Sequence, residues 1–182
     1  MLLNVRSKVA KKILNYFFLN ETRKAYVNEV ARIIGEEAKN AYRILLRLEE
    51  AGILKSEYAG KERYFSANCQ KPLYKEYKKI FLKTAGIELS ITKKLANLTG
   101  LKEAYIYGSY VNHKFGPESD IDLLLVGKHS SLAAEKALHD LQKSIGREIS
   151  IINITQEELK DRKKNNDQLI TEIFKNKNKR II

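Results

Sequence analysis

GSYVNHKFGPESDID, residues 108–122, decides how the second half of this 182-residue chain folds. It lies between two apolar runs, AYIY at 104–107 and LLLV at 123–126. Each run reads as a buried strand, 103–107 and 119–126, yet the segment joining them ends in two aspartates. Side chains alternate along a strand, so SDIDLLLV puts Asp120 and Asp122 on one side and Ile121 and Leu123 on the other. Two carboxylates so close repel each other and resist burial. A divalent cation removes that conflict. Hard oxygen ligands suit Mg2+ or Mn2+, which proteins commonly hold by one or two carboxylates together with substrate phosphates. A solvated edge strand would accommodate a bare D-x-D equally well. Gly108-Ser109 adds a second signal: glycine lets backbone approach a ligand, and N–H groups with a serine hydroxyl can hold phosphate oxygens.

GSY followed by SDIDLLLV resembles the signature of the DNA polymerase β-type nucleotidyltransferase superfamily, and within it the minimal nucleotidyltransferase branch. The resemblance covers roughly residues 86–182. It implies that Asp120 and Asp122 are the catalytic, metal-binding carboxylates and that Gly108, Ser109 and Ser119 bind the nucleotide. The implied cofactor is Mg2+ or Mn2+, the substrate an NTP, and the reaction transfer of NMP to an acceptor hydroxyl with pyrophosphate leaving. It also implies a possible partner protein, a HEPN-type toxin, since minimal nucleotidyltransferases resemble antitoxins that modify or bind one.

Three positions depart from the family pattern. Val111, Asn112 and His113 stand where a small residue, Arg and Gly are usual. The loop therefore loses flexibility and a charge, and His113 is either a phosphate or metal contact or simply exposed. The third carboxylate is missing too. Helix 132–145, its stop at Gly146 and the strand REISIINI (147–154) place Ser150 at that position. Glu148 shares its face one alternation away, about 7 Å along the strand. Two-metal chemistry needs ions about 3.5–4 Å apart. The expectation is a site that binds nucleotide or metal while transfer is weak or lost.

The N-terminal half carries a different pattern. Val9, Ile13, Tyr16 and Phe17 are at helical spacing within 7–20, and Val27, Val30, Ala31 and Ile34 repeat within VNEVARII. Gly35 breaks that helix, and a third runs 36–50 to Ala51-Gly52. Helix, glycine break, helix is the helix-turn-helix pattern. At about 100° per residue, Glu36, Lys39, Asn40, Arg43 and Arg47 fall within about 100° on one side of the third helix. Ala38, Ala41, Ile44, Leu45 and Leu48 fall opposite, as a core face. The basic face is either ordinary solvated surface or a reader of phosphates and base edges. ILKSEY (53–58) and ERYFSA (62–67), joined by Ala-Gly-Lys, read as a hairpin with Lys61 and Arg63 near its tip. Residues 7–67 thus resemble the winged helix-turn-helix of ArsR/MarR-like regulators. That resemblance implies duplex DNA binding through Lys39, Asn40, Arg43, Arg47, Lys61 and Arg63, often as a homodimer; winged helices also serve as protein-contact modules.

Pro72 suits the start of another helix, whose stripe Leu73, Tyr77, Ile80 and Phe81 fits a dimer seam or a packing surface. A further helix fits 87–98. Thr155 to Glu158 makes a capping box, Leu169, Ile170 and Ile173 suggest one more helix, and the terminal KNKNKRII reads as a last edge strand. The fold class expected is α+β in two domains: a winged helix-turn-helix over 1–70, linking helices over 71–100, and a small α/β nucleotidyltransferase-like domain with a mixed sheet over 101–182.

Charge agrees with a polyanionic partner. Lys and Arg number 34 against 22 Asp and Glu, a net +12. Residues 1–86 hold 18 against 9, hence +9, and residues 87–182 hold 16 against 13, hence +3. An excess concentrated at one end favours nucleic acid there, although a Lys-rich composition alone would also produce it. Cys69 stands alone, so no internal disulfide is possible. No stretch approaches the ~18 apolar residues of a membrane span, and the N-terminal residues lack the apolar core of a signal peptide. A cytoplasmic protein with no membrane partner is expected.

Overall fold

Ser7 opens the first helix, its hydroxyl accepting the Ala10 N–H, the usual N-cap arrangement. From there the computed structural model describes residues 7–112 and 119–182. Their contacts form two units, Met1–Leu89 with Lys143–Gly146, and Ser90–Gln142 with Arg147–Ile182. His113 and its neighbours through residue 118 lie outside the described residues.

In the first unit, α1 (Lys8–Leu19) buries Ile13, Leu14, Tyr16, Phe17 and Phe18. β1 (Lys24–Tyr26) leads directly into α2 (Val27–Ile34), which stops at Gly35 in the left-handed conformation, φ +63°. α3 (Ala38–Glu50) follows. Its core face holds Ala41, Ile44, Leu45 and Leu48, as the spacing predicts, but Ala38 is exposed in the first turn. β2 (Leu54–Ala59) and β3 (Glu62–Ala67) pair antiparallel with Ala59 opposite Glu62, leaving Gly60-Lys61 as a two-residue turn. β1 adds to the far side of β3, so the sheet order is β1-β3-β2. This third strand was not anticipated, because three residues are too few to display a period.

α4 (Tyr74–Thr84) begins two residues after Pro72. The expected stripe is divided: Phe81 is buried and Tyr77 packs on the core, whereas Leu73 and Ile80 are exposed. Tyr74 takes the inward position instead, edge-on to Phe18. α5 (Ile87–Leu95) is three residues shorter than its pattern suggested.

The second unit is built on a four-stranded mixed sheet ordered β6-β5-β4-β7. β4 (Leu101–Tyr107) pairs antiparallel with β5 (Ile121–Gly127). α6 (Ser131–Ile145) connects β5 to the parallel strand β6 (Ile149–Ile154). α7 (Gln156–Lys164) starts at the Thr155 cap, whose hydroxyl accepts the Glu158 N–H, and α8 (Gln168–Lys175) follows. β7 (Lys179–Arg180) closes the outer edge of β4. Leu124 and Val126 face a cluster completed by Tyr105, Ile154, Leu159, Ile170 and Ile173. Ile121, Leu123 and Leu125, on the other face, are fully buried as well. A strand covered on both faces reads as a continuous apolar run, hence LLLV. Two strands start later than the sequence suggested: Ser119 and Asp120 precede β5, and Arg147 and Glu148 precede β6. Among the described residues no helix is long and apolar enough to cross a membrane.

Leu45 has no exposure, so Leu45→Ala should cost about 2–5 kcal/mol of unfolding free energy by cavity formation. Urea titration of the variant checks this; a loss below about 1 kcal/mol would mean that α3 does not pack as described.

Candidate functional site

The β4–β5 register places Tyr107 directly opposite Asp122, and the β5–β6 register places Ser150 on the other side of Asp122. Asp122 therefore sits mid-sheet at the strand's beginning, half-buried between two neighbours, while Asp120 is exposed just before the strand. Gly108 turns the chain away from β4 with φ +72°. A Cβ there would lie 2.1 Å from Asp122 Oδ2 and 3.0 Å from its Cγ. Glycine is thus required twice, for the left-handed backbone and for the approach of the carboxylate. Asn112 closes the turn, its side-chain amide donating to the Gly108 carbonyl at 2.9 Å.

The start of β5 is anchored by two contacts, one of them from a residue the sequence did not single out. Ile121 N–H donates to the Glu148 carbonyl at 3.0 Å. The buried Arg147 guanidinium donates to the Ser119 carbonyl at 3.2 Å. Arg147 thereby holds the segment from which Asp120 and Asp122 project. Only its position before a strand hinted at such a role, and a lone arginine in that place carries no periodic signal.

Electrostatics agree with crowding. Burial, and then the charge of Asp120, push the Asp122 carboxyl above its usual range. Burial and the Asp122 charge push the Tyr107 phenol up to about 12, so it stays protonated beside the carboxylate. Glu148 is exposed, and its backbone carbonyl is what accepts the Ile121 N–H. Among the described residues no group of three or more His, Cys, Asp and Glu side chains converges as a metal cage. The third-carboxylate position is filled by Ser150, exposed and in register with Asp122. Two close carboxylates, one partly desolvated, form a hard-oxygen donor pair that fits Mg2+ or Mn2+ completed by further oxygens from a bound ligand. Asp120 and Asp122 would hold such a cation, and Gly108 and Ser109 lie at the adjoining turn.

The residues predicted to meet DNA lie in the first unit. Lys39, Arg43, Arg47 and Lys61 are exposed and Asn40 half-exposed. Arg63 departs from its expected role as a tip phosphate contact. The register keeps it one pair from the turn, opposite Tyr58, but its guanidinium bonds Glu49 on α3 at 2.6 Å and Ser56 at 2.9 Å.

Comparison with known proteins bears on the second unit. Residues 90–179 match the family model described as Polymerase beta, Nucleotidyltransferase. No curated protein matches the chain. Solved structures overlap it in part. One is a toxin–antitoxin with AMP-PNP, at 18% identity over 52% of this chain and 72% of that one, TM-score 0.39. A mutant of the toxin–antitoxin MntA-HpeT gives 15% identity over 53% and 73%, TM-score 0.39. A putative nucleotidyltransferase from Sulfolobus solfataricus gives 25% identity over 46% and 74%, TM-score 0.29. By its family match the C-terminal domain is nucleotidyltransferase-like.

The raised Asp122 pKa fixes the sign of a pH effect. Between the ordinary aspartate value near 3.8 and the raised folded value, the native state binds more protons than the unfolded chain. Stability of the metal-free protein should therefore fall as pH rises through that window and level off above it. Asp122→Asn should remove the dependence and raise the melting temperature of the metal-free protein at neutral pH. Thermal unfolding at several pH values checks this; a variant melting lower at neutral pH would show that the ionised carboxylate is stabilised in the fold.

Proposed function

We propose that this chain is a winged-helix DNA-binding protein whose C-terminal domain binds an Mg-NTP, with transfer of NMP weak or lost. The observation that carries the nucleotide half is the Gly108–Asp122 approach within the segment matching the nucleotidyltransferase model. A turn whose backbone packs on a carboxylate lets phosphate oxygens and carboxylate oxygens share one cation. When bound, the cation would neutralise phosphate charge and polarise the α-phosphorus. The chain's own contribution is positional. Asp120 and Asp122 offer the anionic oxygens, Ser109 and the N–H groups of the adjoining turn would hold the phosphates, and Arg147 fixes the carbonyl of Ser119. Ser150 has no carboxylate with which to deprotonate an attacking hydroxyl, which supports binding over turnover.

The DNA half rests on α3 and the following hairpin. Lys39, Arg43 and Arg47 project from the face opposite Ala41, Ile44, Leu45 and Leu48. Among the described residues, none of the three is paired with a carboxylate, so their charge is available to phosphates and base edges.

A second reading is a competent transferase acting on an unidentified hydroxyl, with Glu148 serving as the third carboxylate. Its support is the extension of the β5–β6 register, which brings residue 148 level with residue 120.

Two outcomes test the proposal. Arg43→Ala and Arg47→Ala together should weaken duplex binding and make its salt dependence shallower by about 0.9 per phosphate contact removed; unchanged gel-shift midpoints would remove α3 as the DNA-facing element. Incubation with NTP labelled at the α-phosphate and candidate acceptors should leave little label transferred. Robust labelling abolished by Asp122→Asn and by Glu148→Gln would establish the second reading.

A further inference from the structure

The helix–hairpin junction of the first unit carries more than basic residues. Two of its exposed side chains are aromatic: Tyr42 on α3, 40% exposed, and Tyr58 on β2, 71% exposed. Tyr42 lies about 60° from Lys39 around the helix, on the border of the basic face, and within about 20° of Glu49. Tyr58 is the cross-strand partner of Arg63. The Arg63 guanidinium occupies the space between the two elements. It pairs with Glu49, donates to Ser56 and to the Tyr42 hydroxyl oxygen, and lies 5.7 Å from the Tyr58 ring centre and 5.3 Å from that of Phe65. Ser56 in turn donates to the other Glu49 oxygen. From the basic face outward, one strip of surface therefore runs Arg43, Lys39, Tyr42, Arg63, Tyr58.

We propose that Tyr42 and Tyr58 are contacts for duplex DNA and that Arg63 is a positioning residue tying the hairpin that carries Tyr58 to the helix that carries Tyr42. The inference rests on the DNA-binding reading above. The Arg63 charge is spent on Glu49, so the phosphate-seeking groups nearby are Lys39, Arg43, Arg47 and Lys61. A tyrosine ring beside them offers apolar area to sugars or base edges and a hydroxyl to a phosphate oxygen. Aromatic contact depends little on salt, whereas each phosphate pair does. The two kinds of contact are therefore separable.

The experiment is fluorescence anisotropy of the full chain with a fluorescein-labelled duplex of random sequence across a salt series. Tyr42→Ala and Tyr58→Ala should each weaken binding about tenfold, the scale of one buried aromatic contact, with the slope of log K against log salt unchanged. Phe at either position should retain most of the affinity. Arg63→Gln should weaken binding of the wild type but add nothing once Tyr58→Ala is present. A further loss in that background, with a slope shallower by about 0.9, would mark direct phosphate contact and overturn the positioning role. Tyrosine variants binding like wild type, while Arg43→Ala still weakens binding, would overturn the aromatic contacts and leave the DNA reading standing. Failure of the wild type to bind the duplex at any salt concentration would overturn both.

Discussion

The pairing of β4 with β5 sets Tyr107 opposite Asp122, and the turn leaving β4 brings the Gly108 backbone so close to that carboxylate that no Cβ fits between them. Much of the second unit follows from this constraint. β5 must be central, because a strand that holds Asp122 between two neighbours needs β4 on one side and β6 on the other. Its later residues must be apolar on both faces, and Leu123, Leu124, Leu125 and Val126 are fully buried. The carboxylate itself remains at the strand's beginning, half-buried, where burial and Asp120 both disfavour its charge. Local instability of this kind is common where a site is built for a ligand. A cation and phosphates would supply the compensation that the protein alone withholds.

The first unit solves a different problem, that of holding a helix and a hairpin in fixed relation while leaving their charged surface free. α3 turns its apolar residues inward and keeps Lys39, Arg43 and Arg47 outside. The hairpin is fixed to it by Arg63, Glu49 and Ser56. An exposed ion pair contributes little to stability, but this one is partly sheltered, is joined by a second guanidinium bond to Ser56 and lies against two rings. Its value is orientation.

What could be read in the sequence followed periodicity and stop signals. α1, α2 and the core face of α3 were legible because each repeats apolar residues at helical spacing. The turn at Gly60-Lys61 and the Thr155 cap were legible from local chemistry. LLLV announced a buried strand, the mixed sheet followed from the nucleotidyltransferase resemblance, and the last edge strand from the apolar Ile181-Ile182 end. β1 was not legible, since its three residues gain their strand character only from pairing with β3. The Glu49 partner of Arg63 was not legible, because a carboxylate fourteen residues away decides where its guanidinium goes. Arg147 and Tyr107 were passed over for a related reason. One earns its place by reaching the Ser119 carbonyl on the neighbouring segment, and the other by standing opposite Asp122. Asp120 was placed within β5, whereas pairing begins one residue later and leaves it exposed.

The most direct test of the central claim is a Mn2+ titration followed by electron paramagnetic resonance, with and without NTP. It is run on the wild-type chain and on the Asp120→Asn, Asp122→Asn double variant. One Mn2+ should bind per wild-type chain, more tightly when NTP is present, and the variant should have no such site. Equal Mn2+ binding by both proteins, or binding indifferent to NTP, would contradict it: the two aspartates would then be a crowded strand end and nothing more.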